Sequence, residues 1–138
     1  MTGQIPDDVR INVATAAQLS EVASILDAAA LRTDHDAIES AIDRGDILVA
    51  IASDGSPTND DRSGPILGAL VLDGPEITTV AVRPGRRGQG IGTGLVAAAS
   101  RRRDRLVAEF EERVLPFWEA LGFDFEAISA GDRYRGRL

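Results

Sequence analysis

Apolar and polar positions alternate across residues 9–14, with Val9, Ile11 and Val13 set against Arg10 and Asn12, the period of a half-buried strand. Residues 1–8 before it read as a tail. Thr15 and Gln18 have the spacing of a capping box, and Leu19, Val22, Ile25, Leu26 and Ala29 then recur at helical spacing, predicting a helix to about Leu31. Ala37, Ile38, Ala41 and Ile42 mark a second, shorter helix ending near Gly45. Strands are expected at 47–52, 66–72 and 76–82, the last β-branched and rich in Thr and Val. The segment 53–64 between the first two is a loop by composition. A glycine-rich stretch, 84–94, leads into a helix over 90–102, followed by a short strand at 106–110. Pro116 suits the first turn of a further helix and Gly122 the position just past its end. Strands at 123–128 and 133–138 complete the pattern. Three successive strands before a strand–loop–helix–strand unit predict one α/β domain over residues 9–138, with a mixed, mostly antiparallel central sheet flanked by helices.

Composition narrows the chemistry. The chain has 138 residues, 43% hydrophobic, which allows one core and one site. No apolar run approaches the ~20 residues of a membrane helix, and the N-terminus lacks the pattern of a secretion signal. With no cysteine and one histidine, thiol chemistry, disulfides and the usual metal sites are not expected. A cytoplasmic protein is the simplest placement. Acidic residues number 22 against 15 basic ones, a net charge of −7, and every basic residue is arginine. Codon bias and a salt-loving source both produce such a surface. Overall acidity argues against a nucleic-acid partner.

Charge is unevenly distributed. Seven arginines (83, 86, 87, 101, 102, 103 and 105) and one acid, Asp104, lie between Arg83 and Arg105. A local positive patch on an acidic chain points to a small bound polyanion. Arg101, Arg102 and Arg103 have an alternative use, solvating a helix end. Arg86 and Arg87 sit instead in a glycine-dense turn between strand and helix, with glycines at 85, 88, 90, 92 and 94. Glycines let backbone approach a ligand, and the free N–H groups of a helix start favour anions. A Walker-type loop needs a lysine, which is missing. The dinucleotide fingerprint finds Thr93 or Leu95 where its third glycine belongs.

The run Arg87-Gly88-Gln89-Gly90-Ile91-Gly92 resembles the Arg/Gln-x-x-Gly-x-Gly/Ala motif of the GNAT acyltransferase superfamily. Pro116-Phe-Trp-Glu-Ala-Leu-Gly-Phe123 looks like the same superfamily's Phe-Tyr-Glu-x-Leu-Gly-Phe segment, and the resemblance extends over residues 9–138. It implies acetyl-CoA or another acyl-CoA as co-substrate, with no metal. Its pyrophosphate would rest on the amides of Arg87, Gly88, Gln89, Gly90, Ile91, Gly92 and Thr93. Its pantetheine arm would pair with Val80, Ala81 and Val82 like an added strand. The resemblance also implies a bulged strand around Val80 that splays from its neighbour, with a backbone N–H polarising the thioester carbonyl. A homodimer is a further implication.

The reaction implied is direct attack by a primary amine on the thioester. Such an amine, with a pKa near ~10.4, is free base in only about one part in a few thousand at pH 7. A positioned base therefore matters, and Glu76 is the candidate, because Glu-Ile-x-x-x-Ala-Val resembles the catalytic-glutamate strand of the histone-acetylating branch. The superfamily's usual tyrosine acid is replaced by Trp118, and its usual asparagine by Glu111. Tyr134, the only tyrosine, is the remaining candidate acid. His35, between the first two helices, is a candidate acceptor contact. A protein N-terminus or lysine as acceptor, and a coenzyme-binding module without turnover, are the alternative readings.

Overall fold

The computed structural model describes residues 9–28, 35–52, 65–83, 85, 90–128 and 133–138. The expected tail at 1–8, the loop at 53–64, and Arg86, Arg87, Gly88 and Gln89 lie outside the described residues. Seven strands form one sheet: β1 (Val9–Val13), β2 (Ile47–Ala52), β3 (Ile66–Asp73), β4 (Glu76–Val82), β5 (Val107–Glu111), β6 (Asp124–Ala127) and β7 (Arg133–Arg137). Their order is β1-β2-β3-β4-β5-β7-β6, antiparallel throughout except for the β4–β5 pair. The mixed, mostly antiparallel sheet expected from the pattern is therefore present. Among the described residues no helix is long and apolar enough to cross a membrane.

Each helix is placed by its apolar side. Gln18 Oε1 accepts from the Thr15 N–H at 2.9 Å, turning the chain through a single 3-10 turn into α1 (Leu19–Ala28). α2 (His35–Asp43) follows, so His35 opens a helix rather than lying between two. Val22, Ile25 and Leu26 of α1, with Ile38 and Ile42 of α2, pack on Val49, Ile51, Ile66 and Ala69 of the sheet. α3 (Ile91–Ser100) covers the opposite face through Ile91, Leu95, Val96 and Ala99. Strands β2 and β3, buried from both sides, are accordingly almost continuous apolar runs. α4 (Leu115–Ala120), entered through Pro116, lies on the α3 side, where Trp118 stacks on Phe110 with ring centroids 5.4 Å apart.

Arg102 and Arg103 do more than solvate the end of α3. Arg102 donates to the Gly45 carbonyl at 3.1 Å. Arg103 donates to the Gly74 carbonyl and to Asp46, each at 2.9 Å. Asp46 is 9% exposed and also receives Arg44 at 2.9 Å. This tie holds the β3–β4 turn, from which Glu76 starts β4, against the α2–β2 turn.

Candidate active site

The sheet splits at its one parallel seam. β4 and β5 pair only at Glu76–Val107 and Ile77–Ala108. The register of β4 against β3 passes from Leu72–Ile77 to Val71–Thr79, so Thr78 is the extra residue of a bulge. Its hydroxyl donates to the Val71 carbonyl at 3.2 Å. From there β4 stays with β3 as far as Val82, while β5 runs with β7 as far as Glu111. The bulge and splay that the resemblance implied are both present.

Between the diverging strands lies a cavity of about 630 Å³. One wall is β4, including Val80, Ala81 and Val82. The mouth is the start of α3, with Gly90, Ile91, Gly92 and Thr93, and the far wall carries Glu109, Phe110, Arg113, Phe117 and Trp118. Gly90 caps α3 with φ +83°, a left-handed conformation that costs a residue with a Cβ about 1–2 kcal/mol. The helix therefore starts at Ile91, one residue later than expected. Its first intrahelical bond is from the Gly94 N–H to the Gly90 carbonyl, at 2.9 Å. The earlier amides of that turn have no carbonyl within the helix and are available to an anion. A Cβ on Gly92 would meet Phe117 Cε1 at 3.3 Å, so the missing side chain lets α4 close over the mouth.

Seven of the residues expected to bind the coenzyme thus surround one cavity: Val80, Ala81, Val82, Gly90, Ile91, Gly92 and Thr93. Arg87, Gly88 and Gln89 lie outside the described residues. The two expected catalytic residues do not line the cavity. Glu76 is half-buried at the closed end of the fork, next to Ile77, which does line it, and its carboxylate makes no hydrogen bond or ion pair with a described residue. Tyr134 pairs with Phe110 across β5–β7, stacks on it at 6.3 Å, and meets Phe125 edge-on at 5.9 Å.

Glu109 and Arg113 are the charged wall residues the pattern did not single out, and Glu109 is the one tied into the sheet. Its Oε2 accepts from both Nε and a terminal nitrogen of Arg135, at 3.2 and 2.5 Å. Arg133 approaches its other oxygen at 4.0 Å. Arg135 is consequently held in its charged form beyond the ordinary arginine range, first by the hydrogen bond to Glu109 and its charge, with Glu76 and Glu126 adding. That shared field places Glu76 and Glu109 in one electrostatic neighbourhood.

The family comparison decides what this fold is. The model of the acetyltransferase (GNAT) domain matches residues 43–124, which include β2 to β5, the glycine turn and α4. The chain belongs to the GNAT acetyltransferases. No curated protein matches the chain. Solved structures match over nearly its whole length. A GNAT-family acetyltransferase from Bacillus cereus is 17% identical, covering 94% of this chain and 96% of that one, with a TM-score of 0.72. Naa50 from Arabidopsis thaliana, solved with the bisubstrate analogue CoA-Ac-MVNAL, is also 17% identical, with 95% and 98% covered and a TM-score of 0.72. Ard1 from Thermoplasma volcanium is 16% identical, with 95% and 97% covered and the same TM-score. At these identities the likeness concerns the GNAT fold.

Proposed function

We propose that this GNAT domain moves an acetyl group from acetyl-CoA to a primary amine by direct attack on the thioester. The observation that carries the reading is the cavity between β4 and β5, with the open first turn of α3 at its mouth. A diphosphate at Gly90 to Thr93 would leave a pantetheine arm to run along Val82 to Val80, toward the fork. Arg87 would add charge-assisted hydrogen bonds to the phosphates.

The acceptor side follows from the two carboxylates. Glu109 faces the cavity with one oxygen committed to Arg135, which suits it to hold an ammonium in place. The Glu76 carboxylate has no hydrogen-bonded partner among the described residues and serves as the base, reached from the fork through water. Tyr134, away from the cavity, is less suited to act as acid. A peptide N-terminus is a second acceptor class, supported by the open β5–β7 face beside the cavity and by the peptide-like analogue bound to Naa50.

Calorimetric titration with acetyl-CoA, followed by thiol release across small amines, N-terminal peptides and lysine peptides, tests the reading. Coenzyme binding with turnover on one acceptor class is expected. Binding without turnover on any would replace the enzyme with a coenzyme-binding module. Absence of binding would remove the proposal altogether.

A further inference from the structure

Glu76 is placed by its main chain. Its carboxylate has no partner among the described residues, so its position depends on how the turn before it is held. That turn has two residues, Gly74 and Pro75, between the paired positions Asp73 and Glu76. Proline has no N–H to give, and nothing lies within 4 Å of where a Cβ on Gly74 would stand. The two carbonyls of the turn hold it instead, and each is taken by a different element. The Pro75 carbonyl accepts from the Val107 N–H at 2.9 Å, and Val107 is also the β5 partner of Glu76. This bond continues the seam of the sheet. The Gly74 carbonyl accepts from Arg103 Nε, also at 2.9 Å, a side chain 29 positions away.

Arg103 is engaged at every nitrogen. Besides Nε on Gly74, one terminal nitrogen donates to Asp46 Oδ1 at 2.9 Å and the other to the Arg102 carbonyl at 3.2 Å. Asp46 is fixed in turn through its own backbone. Its N–H donates to the Ala41 carbonyl and its carbonyl accepts from the Leu72 N–H, both at 2.8 Å. The hairpin is thus gripped on β3 through Leu72 and at its turn through Gly74. The Arg103 and Asp46 side chains are 26% and 12% exposed, so solvent screens this pair less than a surface one. A forked guanidinium can hold a carboxylate and a carbonyl at once, which an ammonium cannot do in the same geometry.

We infer that Asp46 and Arg103 are positioning residues for Glu76, which rests on its role as base in the reading above. Neither lines the cavity. They act through the main chain, fixing where β4 starts and therefore how far the Glu76 carboxylate reaches toward the fork. A base works only within hydrogen-bond reach of the proton it takes, directly or through one water. A displacement of about 1 Å, imposed from outside the site, can lower a rate as much as a hundredfold.

Two measurements separate this role from a purely structural one. Hydrogen exchange of the protein without ligands reads the tie itself. Amides at the start of β4 should exchange about tenfold faster in Arg103→Ala, with those of α1 unchanged. Thiol release from acetyl-CoA, with the fastest acceptor among the small amines and peptides above and counted per coenzyme-binding site, reads the consequence. Arg103→Ala is expected to lower kcat about tenfold and to leave both KM values within about twofold. In a Glu76→Gln background the same change should lower kcat by less than about twofold, because the group it positions is already gone. Arg103→Lys keeps the cation without the fork, and Asp46→Asn nearly keeps the shape without the charge. Both should show smaller losses that vanish in the same background, and they carry the same test if Arg103→Ala does not fold. Unaltered exchange at the start of β4, or losses that multiply in the Glu76→Gln background, overturns the inference and leaves Glu76 as the base. An unchanged rate in Glu76→Gln alone overturns the base role and the positioning role with it.

Discussion

The two halves of the sheet are built on different terms. In β1–β4 the strands are closed in by α1 and α2 on one face and α3 on the other, and β2 and β3 bury nearly every residue. In β5–β7 only the α4 side is apolar, with Phe110, Trp118 and Phe123 at its centre. The other face carries Glu109 with Arg135 and Glu126 with Arg137, and every residue of β6 is exposed. The halves meet through two paired positions on each of β4 and β5. A sheet covered on one face by helices and on the other by charges does not need to continue tightly into its neighbour. The slot is the space left where a two-sided core gives way to a one-sided one.

If stability resides in the first half, truncation should show it. Leu70 is fully buried in β3, and Leu70→Ala is expected to cost about 3 kcal/mol. Phe125, the aromatic residue of β6, is 37% exposed, and Phe125→Ala should cost less than about 1 kcal/mol. Denaturant unfolding of both variants measures the contrast. Equal costs would mean that the two halves share one evenly loaded core.

The chemistry is expected to use one carboxylate from each half. Glu76→Gln on β4 should lower the rate about a hundredfold near neutral pH and less at high pH, where the amine is already free base. The sign follows from what a base supplies, since its contribution is largest while the acceptor is protonated and fades as solution removes that proton. Glu109→Gln on β5 should mainly raise KM for the amine, leaving the shape of the pH–rate profile as it was. Profiles of kcat and kcat/KM for the two variants decide the assignment. An unchanged profile in Glu76→Gln would take Glu76 out of the mechanism.

Why the sequence was readable in some places and opaque in others follows from range. The strand before the glycine turn and the helix after it, the Pro116 and Gly122 punctuation and the two-faced strands are all encoded locally, and the structure has them within about two residues of where the pattern puts them. Glu109 was not legible as a site residue, because its partner Arg135 is 26 positions away and reaches it only once β7 inserts between β5 and β6. The Arg103–Asp46 bond spans 57 positions, and nothing in the arginine run distinguishes it from a solvated helix end. Tyr134 could be named from composition alone, whereas its place behind Phe110 depends on strand order.

Gly90 joins the halves at the cavity mouth. Its φ of +83° makes Gly90→Ala strained whatever space surrounds it, at about 1–2 kcal/mol of stability. Unlike Leu70→Ala, this change should also weaken acetyl-CoA binding, because relief of the strain moves the amides of Ile91 and Gly92 out of register with the phosphates. A thermal-shift series with and without acetyl-CoA reads both effects. Loss of stability with undiminished ligand protection would show that the capping geometry and the anion site are separate.

The smallest effect belongs to the charged face itself. Arg137 and Glu126 approach at 3.5 Å, but their side chains are 64% and 62% exposed. Solvent screening leaves such a pair worth no more than a few tenths of a kcal/mol, so Arg137→Ala should change stability by less than about 0.5 kcal/mol. If the ion pairs of β5–β7 served to hold the second half together, removing one would open it. If they serve instead to keep an uncovered face soluble and to orient Glu109, stability stays put, and only variants touching the Glu109–Arg135 pair alter the acceptor KM. Unfolding midpoints of Arg137→Ala and Arg135→Gln, measured beside their acceptor KM values, separate the two roles. A fall in midpoint for Arg137→Ala as large as that for Leu70→Ala would place a real share of the fold's stability in the charged half.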